Sequence, residues 1–252
     1  MRRGYCTAAI AVTLSVLAGP ARADESAWRD IEGRIQYSYY TEDARGLVAL
    51  EEAVAPDDSH DPLRDYFGAL LAYREALLVS QGVTVAGGRS VPQLADRCTQ
   101  RIDAALDARG DFAEGLALRA ACLLTKEYGS AHGSLTAHRA RKDLERAAQL
   151  APGNPRVLLI DGIGDYELAG GGGGNKERAI GKLRQANAAF EAERRDTERV
   201  PGWGAADSYF YLGRDLLDHG DAVGARDALE RSLVIAPGYG RARALMQRIT
   251  AG

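Results

Sequence analysis

The sequence has few cysteines, no long internal apolar run and no excess of basic residues. Only three of its 252 residues are cysteine, and none forms a Cys-x-x-Cys motif, which argues against a dithiol redox centre. No later stretch approaches the roughly 20 apolar residues that a transmembrane helix needs, so we expect no stable membrane insertion. Alternating β-branched runs are also scarce, which favours an all-α class.

The first 23 residues have the organisation of a secretory signal peptide. Arg2 and Arg3 form a positive n-region, a short apolar segment covers Ala8–Leu17, and the small residues of Ala21-Arg22-Ala23 precede Asp24. We expect cleavage between Ala23 and Asp24. The mature protein is then soluble and periplasmic.

Loss of that leader leaves an acidic chain. Of the 32 basic residues three lie in the leader, so 29 remain against 35 acidic ones, a formal charge of −6. Nucleic acids and anionic membranes both select basic surfaces. We therefore expect no nucleic-acid partner.

One stretch, Ala206–Tyr239, has the pattern of a helix–turn–helix repeat. Its apolar residues recur with a helical period on both sides of His219-Gly220-Asp221, and Pro237-Gly238 ends the second helix. The stretch is 34 residues long and resembles a tetratricopeptide repeat (TPR). The residues that carry the resemblance are Tyr209, Leu212, Gly213, Leu216, Gly220, Asp221, Ala225, Leu229 and Pro237.

Upstream segments repeat this pattern with longer loops. Helix pairs are predicted over 26–54, 61–109, 111–152 and 154–193, with loops at 82–90, 127–134 and 170–174 and a capping helix over Arg241–Ile249. Residues 24–252 are therefore predicted to form one all-α domain. Its architecture is an α-solenoid of about five TPR-like antiparallel pairs and a C-terminal capping helix.

The first pair diverges most from the repeat. Ser26 is interpreted as the N-cap of a helix that reaches Tyr40, and Asp43–Val54 as the second helix. Trp28, Tyr37, Tyr39 and Tyr40 have helical spacing, which favours core positions over an exposed aromatic platform.

Short motifs along the chain resemble those of one group of exported bacterial TPR proteins. They are Asp111-Phe112-Ala113-Glu114, Leu150-Ala151-Pro152, Asn154-Pro155-Arg156-Val157, the glycines before Lys176-Glu177-Arg178-Ala179, and Trp203-Gly204. Their order is similar to that of the TatT type, periplasmic components associated with TRAP transporters. The resemblance implies a helical scaffold in the periplasm.

The two cysteines of the mature chain are spaced as a disulfide pair. Cys98 and Cys122 lie twelve residues either side of Gly110, which is interpreted as the turn between two antiparallel helices. At 1.5 Å per residue both lie about 18 Å from that turn, at the same height. An oxidising compartment favours the bridge. Two small buried thiols are the alternative interpretation.

Two glycine motifs suggest nucleotide binding, but both match poorly. The glycines at 170–174 lack the following Lys-Ser or Lys-Thr of a P-loop. Asp161-Gly162-Ile163-Gly164 begins like a dinucleotide fingerprint, yet Glu167 stands where its third glycine belongs. A flexible loop is the preferred interpretation of 170–174.

The histidines do not form a recognisable metal-binding motif. His60, His132, His138 and His219 lack the spacing of zinc ligands. We expect no metal, no cofactor and no catalytic residue.

We interpret the protein as a non-enzymatic scaffold for a protein or peptide partner, or for a second copy of itself. TPR proteins line their concave groove with exposed residues of each first helix, which implies Asp207, Phe210, Arg214 and Asp218 in the best-matched repeat. An ordinary polar surface with Phe210 partly packed inside is the alternative. A transport accessory of the TatT type, with a small ligand in a pocket or oligomeric lumen, is the second functional hypothesis.

Overall fold

The computed structural model describes residues 21–57, 61–126, 135–169, 175–194 and 199–251. These residues form eleven α-helices and no strand, so the all-α class is confirmed. The helices are α1 (Ala21–Tyr40), α2 (Ala44–Val48), α3 (Pro62–Ser80), α4 (Val91–Ala108), α5 (Ala113–Lys126), α6 (Leu135–Leu150), α7 (Pro155–Glu167), α8 (Lys176–Glu193), α9 (Ala205–Asp218), α10 (Ala222–Ile235) and α11 (Gly240–Ala251).

The helices pack as consecutive pairs in two layers. Each of α3, α5, α7 and α9 packs against the helix that follows it, and α11 packs on α10 as a cap. The first helices α3, α5, α7 and α9 also contact one another in order and form an inner layer. The second helices α4, α6, α8 and α10 form the outer layer. The predicted α-solenoid is confirmed.

Helices α3 and α7 each begin directly after a polar N-cap residue. The Asp61 carboxylate accepts from the Leu63 amide at 2.9 Å, and the Asn154 side chain accepts from the Arg156 amide at 3.0 Å. Proline occupies the first helical position after both caps, where its missing N–H has no intrahelical partner to lose.

Two details of the first pair differ from the prediction. Helix α1 begins at Ala21, not after an N-cap at Ser26, because Ala21-Arg22-Ala23-Asp24-Glu25 contains no helix breaker. Helix α2 ends at Val48, although the turns that follow it still bury Leu50 and Val54. The predicted leader, residues 1–23, lies outside the described residues except for its last three, at the start of α1.

The repeat glycine permits close packing within each pair. A Cβ at Gly213 would lie 2.8 Å from Leu229 Cγ, and one at Gly162 would lie 3.0 Å from Leu183 Cγ. Gly162 therefore permits close packing of α7 against α8, as Gly213 does for α9 against α10. This packing role explains the glycine that resembled part of a dinucleotide fingerprint.

The two ends of the solenoid meet. The rings of Tyr40, at the end of α1, and Tyr239, just before α11, have centroids 4.6 Å apart. The Tyr39 and Tyr239 hydroxyls are 3.5 Å apart and buried. Trp28, Tyr39 and Tyr40 are core residues as predicted, while Tyr37 is exposed.

Candidate functional site

The inner face, which consists of α3, α5, α7 and α9, is occupied by other parts of the same chain. Trp203, from the connection before α9, inserts there and is only 3% exposed. Its indole Nε1 donates to the Tyr66 hydroxyl at 2.7 Å, and its ring centroid lies 5.1 Å from the Arg74 guanidinium carbon.

Helix α1 holds this connection in place. The Glu32 carboxylate accepts from the Gly202 amide at 2.8 Å and from the Trp203 amide at 3.0 Å. Burial raises the pKa of Glu32, and the hydrogen bonds from these amides oppose the shift. A segment of the same chain, Gly202-Trp203, therefore occupies this part of the inner face.

A buried ion pair crosses the inner face from α3 to α9. Arg74 Nη1 donates to Asp207 Oδ1 at 2.9 Å and Arg74 Nη2 to Asp207 Oδ2 at 2.7 Å. The Tyr40 hydroxyl also donates to Asp207 Oδ2, at 2.8 Å. Burial is the largest single influence and acts to lower the pKa of Arg74, but Asp207, Tyr39 and Tyr40 together outweigh it, and the pKa is raised. Arg74 is therefore a permanent cation.

The prediction that Asp207 and Phe210 line an open groove is wrong. Asp207 is 1% exposed and Phe210 is 3% exposed, because the solenoid closes over them. Arg74 and Tyr40 cover Asp207, while Phe210 packs on Tyr239 with ring centroids 5.1 Å apart. The alternative that placed Phe210 inside describes this residue better.

The other two predicted groove residues lie nearer the surface but are already paired. Arg214 is partly exposed and donates to Glu167 Oε1 at 2.8 Å, with its guanidinium carbon 4.0 Å from the Tyr166 ring centroid. Asp218 is exposed and forms a salt bridge with Lys176. The structure does not bring the four residues together on one open surface.

The two cysteines lie at disulfide distance, as predicted. Cys98 on α4 and Cys122 on α5 have Cα atoms 5.9 Å apart, and both residues are fully buried. The turn at Gly110 connects two packed helices. The two cysteines therefore lie at the same height along the helix pair.

The residues described by the structure contain no group of three His, Cys, Asp or Glu side chains that could hold a metal ion. His138 and His219 are exposed, whereas His60, His132 and the glycines at 170–174 lie outside those residues. None of the described helices is long and apolar enough to cross a bilayer.

The described part of the outer layer has an open groove on either side of α8. The α6–α8 groove has α7 as its floor and encloses about 350 Å³. Its lining includes Leu124, Leu144, Leu168, Asp161, Asp165, Arg178 and Lys182.

The α8–α10 groove has α9 as its floor and is larger, about 620 Å³. Its lining includes Arg184, Tyr209, Leu212, Leu216, Arg231 and Val234. A smaller cavity of about 210 Å³ continues it along α10 and is lined in part by Val234 and Ile235.

The repeat pattern of the sequence does not by itself predict the α8–α10 groove. Val234 and Ile235 are apolar but do not belong to the Ala225, Leu229 and Ser232 face, which packs α10 onto α9. Apolar residues outside the packed face are the sequence signal that could have indicated this groove.

Comparison with known proteins identifies the fold but not a family. No protein-family model matches the sequence, and no curated protein matches it. Among solved structures, the TPR protein TTC0263 of Thermus thermophilus aligns over 89% of this chain and 100% of its own, with 15% identity and a TM-score of 0.57. MamA of Desulfovibrio magneticus aligns over 86% of this chain and 97% of its own, with 15% identity and a TM-score of 0.39.

The likeness to TTC0263 shows an α-solenoid of the TPR type. Within that class, this chain differs from an open array in having its inner face filled by α1 and Trp203.

Proposed function

We propose that this chain is a non-enzymatic periplasmic scaffold that binds a protein or peptide partner. The observation that carries the proposal is the stack of TPR-type helix pairs, whose outer layer leaves two grooves open while the inner face is filled. Solenoids commonly use their extended concave face for recognition. Because that face is filled in this chain, the open grooves of the outer layer are the surface left for a partner.

The proposed location rests on the N-terminal leader and on the cysteine pair. The leader has the n-region, apolar segment and small-residue cleavage motif of exported proteins. A pair of buried cysteines at disulfide distance fits an oxidising compartment.

The direct test is crosslinking and affinity capture from the periplasm of cells that export the tagged full-length chain. We expect the tagged protein in the periplasmic fraction, cleaved after Ala23, with a defined protein partner. Retention of the chain in the cytoplasm would contradict the location. Absence of any specific crosslinked partner across growth conditions would contradict the scaffold role.

The second candidate is a transport accessory of the TatT type. The α6–α8 groove favours it, because apolar side chains from α5, α6 and α7 meet charged side chains from α7 and α8 around a cavity of about 350 Å³. Such a mixture suits a small amphipathic ligand. Native mass spectrometry of protein purified from the periplasm would reveal a bound small molecule, and a ligand-free spectrum would weigh against this role.

A further inference from the structure

The two outer grooves differ in the state of their basic residues. In the α6–α8 groove, Lys182 Nζ lies 2.6 Å from Asp161 Oδ2, and Arg178 Nε donates to Asp165 Oδ2 at 2.6 Å. Those cations are neutralised within the chain. In the α8–α10 groove, neither Arg184 nor Arg231 forms a salt bridge with any residue that the structure describes.

The acidic residues of the α8–α10 groove do not balance these two cations. Glu230 is engaged by Arg226, whose Nε donates to it at 2.8 Å. Asp227 is then the only carboxylate of this lining without a salt bridge in the described part of the chain. The groove therefore has a local basic excess, although the mature chain as a whole is acidic.

Apolar surface lies between the two arginines. Leu212 and Leu216 on α9 form the floor, and Val234 on the rim is 75% exposed. Ile235, which lines the adjoining cavity, is 40% exposed. Exposed aliphatic side chains beside unpaired guanidiniums form a surface that is complementary to a segment with both apolar and acidic side chains.

We propose that the α8–α10 groove binds an acidic amphipathic peptide segment of a partner protein. Apolar side chains of the segment pack on Val234, Leu212 and Leu216, and its carboxylates pair with Arg184 and Arg231. This assignment rests on the proposed scaffold function and specifies the partner chemistry. A helix laid in a groove presents anchors at i, i+3, i+4 and i+7, and the groove between α8 and α10 offers apolar side chains for such anchors to contact.

The test uses two labelled probe peptides and the purified full chain. One peptide of about 12 residues has Leu at the four anchor positions and Glu on the flanks, and the second has Lys in place of Glu. Fluorescence anisotropy should show about five- to tenfold tighter binding of the Glu peptide, the effect of two partly exposed ion pairs. The preference should shrink as salt is raised. No binding of the Glu peptide, or equal binding of both, overturns the proposal.

The chain offers a matched control for the apolar contact. Val234 and Val223 are both 75% exposed on α10, but only Val234 lines the groove. Val234→Asp should weaken Glu-peptide binding about tenfold, the loss of one central anchor, whereas Val223→Asp should leave it unchanged. Matching thermal melts of the two variants verify that both fold. Equal effects of the two substitutions overturn the assignment.

Charge reversal tests the two arginines. The double substitution Arg184→Glu and Arg231→Glu should invert the preference, so that the Lys peptide binds more tightly. An unchanged preference rules out these arginines as the source of selectivity and overturns the proposal. Sedimentation that shows a wild-type dimer and a Val234→Asp monomer assigns the groove to a second copy instead, and equally overturns it.

Periplasmic capture with the same variants separates this proposal from the scaffold function. We expect wild type and Val223→Asp to capture the partner, and Val234→Asp to lose it. Equal capture by all three overturns the groove assignment while the scaffold function stands. Failure of wild type to capture any partner counts against the scaffold function, and the peptide titrations still decide the groove.

Discussion

Arg74 on α3 and Asp207 on α9 lie 133 residues apart in the sequence and form a two-fold hydrogen-bonded ion pair in which each side chain is 1% exposed. Their contact joins the second helix pair to the fifth across the inner face. The Tyr39 ring centroid lies 4.1 Å from the Arg74 guanidinium carbon, so α1 covers the pair. The contact leaves no room for a partner at this point of the inner face.

Removal of the Asp207 charge should destabilise the protein strongly. Asp207→Asn leaves the Arg74 guanidinium buried without its counter-ion, and we expect a loss of about 3–5 kcal/mol in the free energy of unfolding. Urea denaturation followed by circular dichroism measures it. Asp218→Asn, which breaks an exposed pair with Lys176, is the control and should change little. Similar midpoints for the two variants would contradict the buried pair.

Glu75 should make stability depend on pH. This α3 residue is fully buried, and burial, with Arg89 opposing and Glu51 adding to it, raises its pKa from 4.5 to about 7. The folded state then keeps a proton that the unfolded state releases, so the contribution of Glu75 to stability is fully present below about pH 4.5 and is lost as the pH rises through about 7.

Glu75→Gln should flatten that decline. The amide keeps the neutral shape of the protonated acid, so between about pH 5 and pH 8 the variant should lose less stability than wild type, by about 1–3 kcal/mol. Denaturation midpoints at several pH values measure the difference. Parallel pH profiles for the two proteins would show that Glu75 does not titrate in this range.

Gly213 and Gly181 are both helical, yet alanine should have opposite effects at the two positions. A Cβ at Gly213 would lie 2.8 Å from Leu229 Cγ and 3.1 Å from the Ala225 carbonyl oxygen, whereas a Cβ at Gly181 meets nothing within 4 Å. Gly213→Ala should destabilise by about 1–3 kcal/mol through overpacking. Gly181→Ala should stabilise by about 0.5–1 kcal/mol through helix propensity. A stabilising Gly213→Ala would refute the close-packing role.

Protein exported to the periplasm should contain no free thiol. Intact mass before and after alkylation counts free thiols, and two alkylated cysteines in the mature chain would contradict the bridge. Replacing Cys98 and Cys122 together by Ala should lower the free energy of unfolding by about 3 kcal/mol, the value for a loop of this length. Equal stability of the double variant and the exported wild type would show that the pair is not bridged.

The sequence predicts the helix pairs well because their signals are local. Asp61-Pro62 and Asn154-Pro155 mark helix starts by capping, and the spacing of Ala225 and Leu229 marks a packed face. The cysteine pair is also predictable from local geometry, because Cys98 and Cys122 lie at equal sequence distances from the turn at Gly110.

The filled inner face is not predictable in the same way. The Arg74–Asp207 and Trp203–Tyr66 contacts join residues 133 and 137 apart, and such pairs leave no periodic pattern in a single sequence. The expectation that Asp207 and Phe210 line a groove assumes an open array. The curl that brings α1 against Tyr239 depends on the packing angles of every unit between them.

The meeting of Tyr40 and Tyr239 has a consequence for how the protein unfolds. An open repeat array frays from its ends, because its terminal units have one neighbour each. Here the last turn before α11 covers the tyrosines of α1, so displacing either end exposes the aromatic side chains of the other. Both ends should therefore exchange their amide hydrogens together, and the chain should melt as a single cooperative unit.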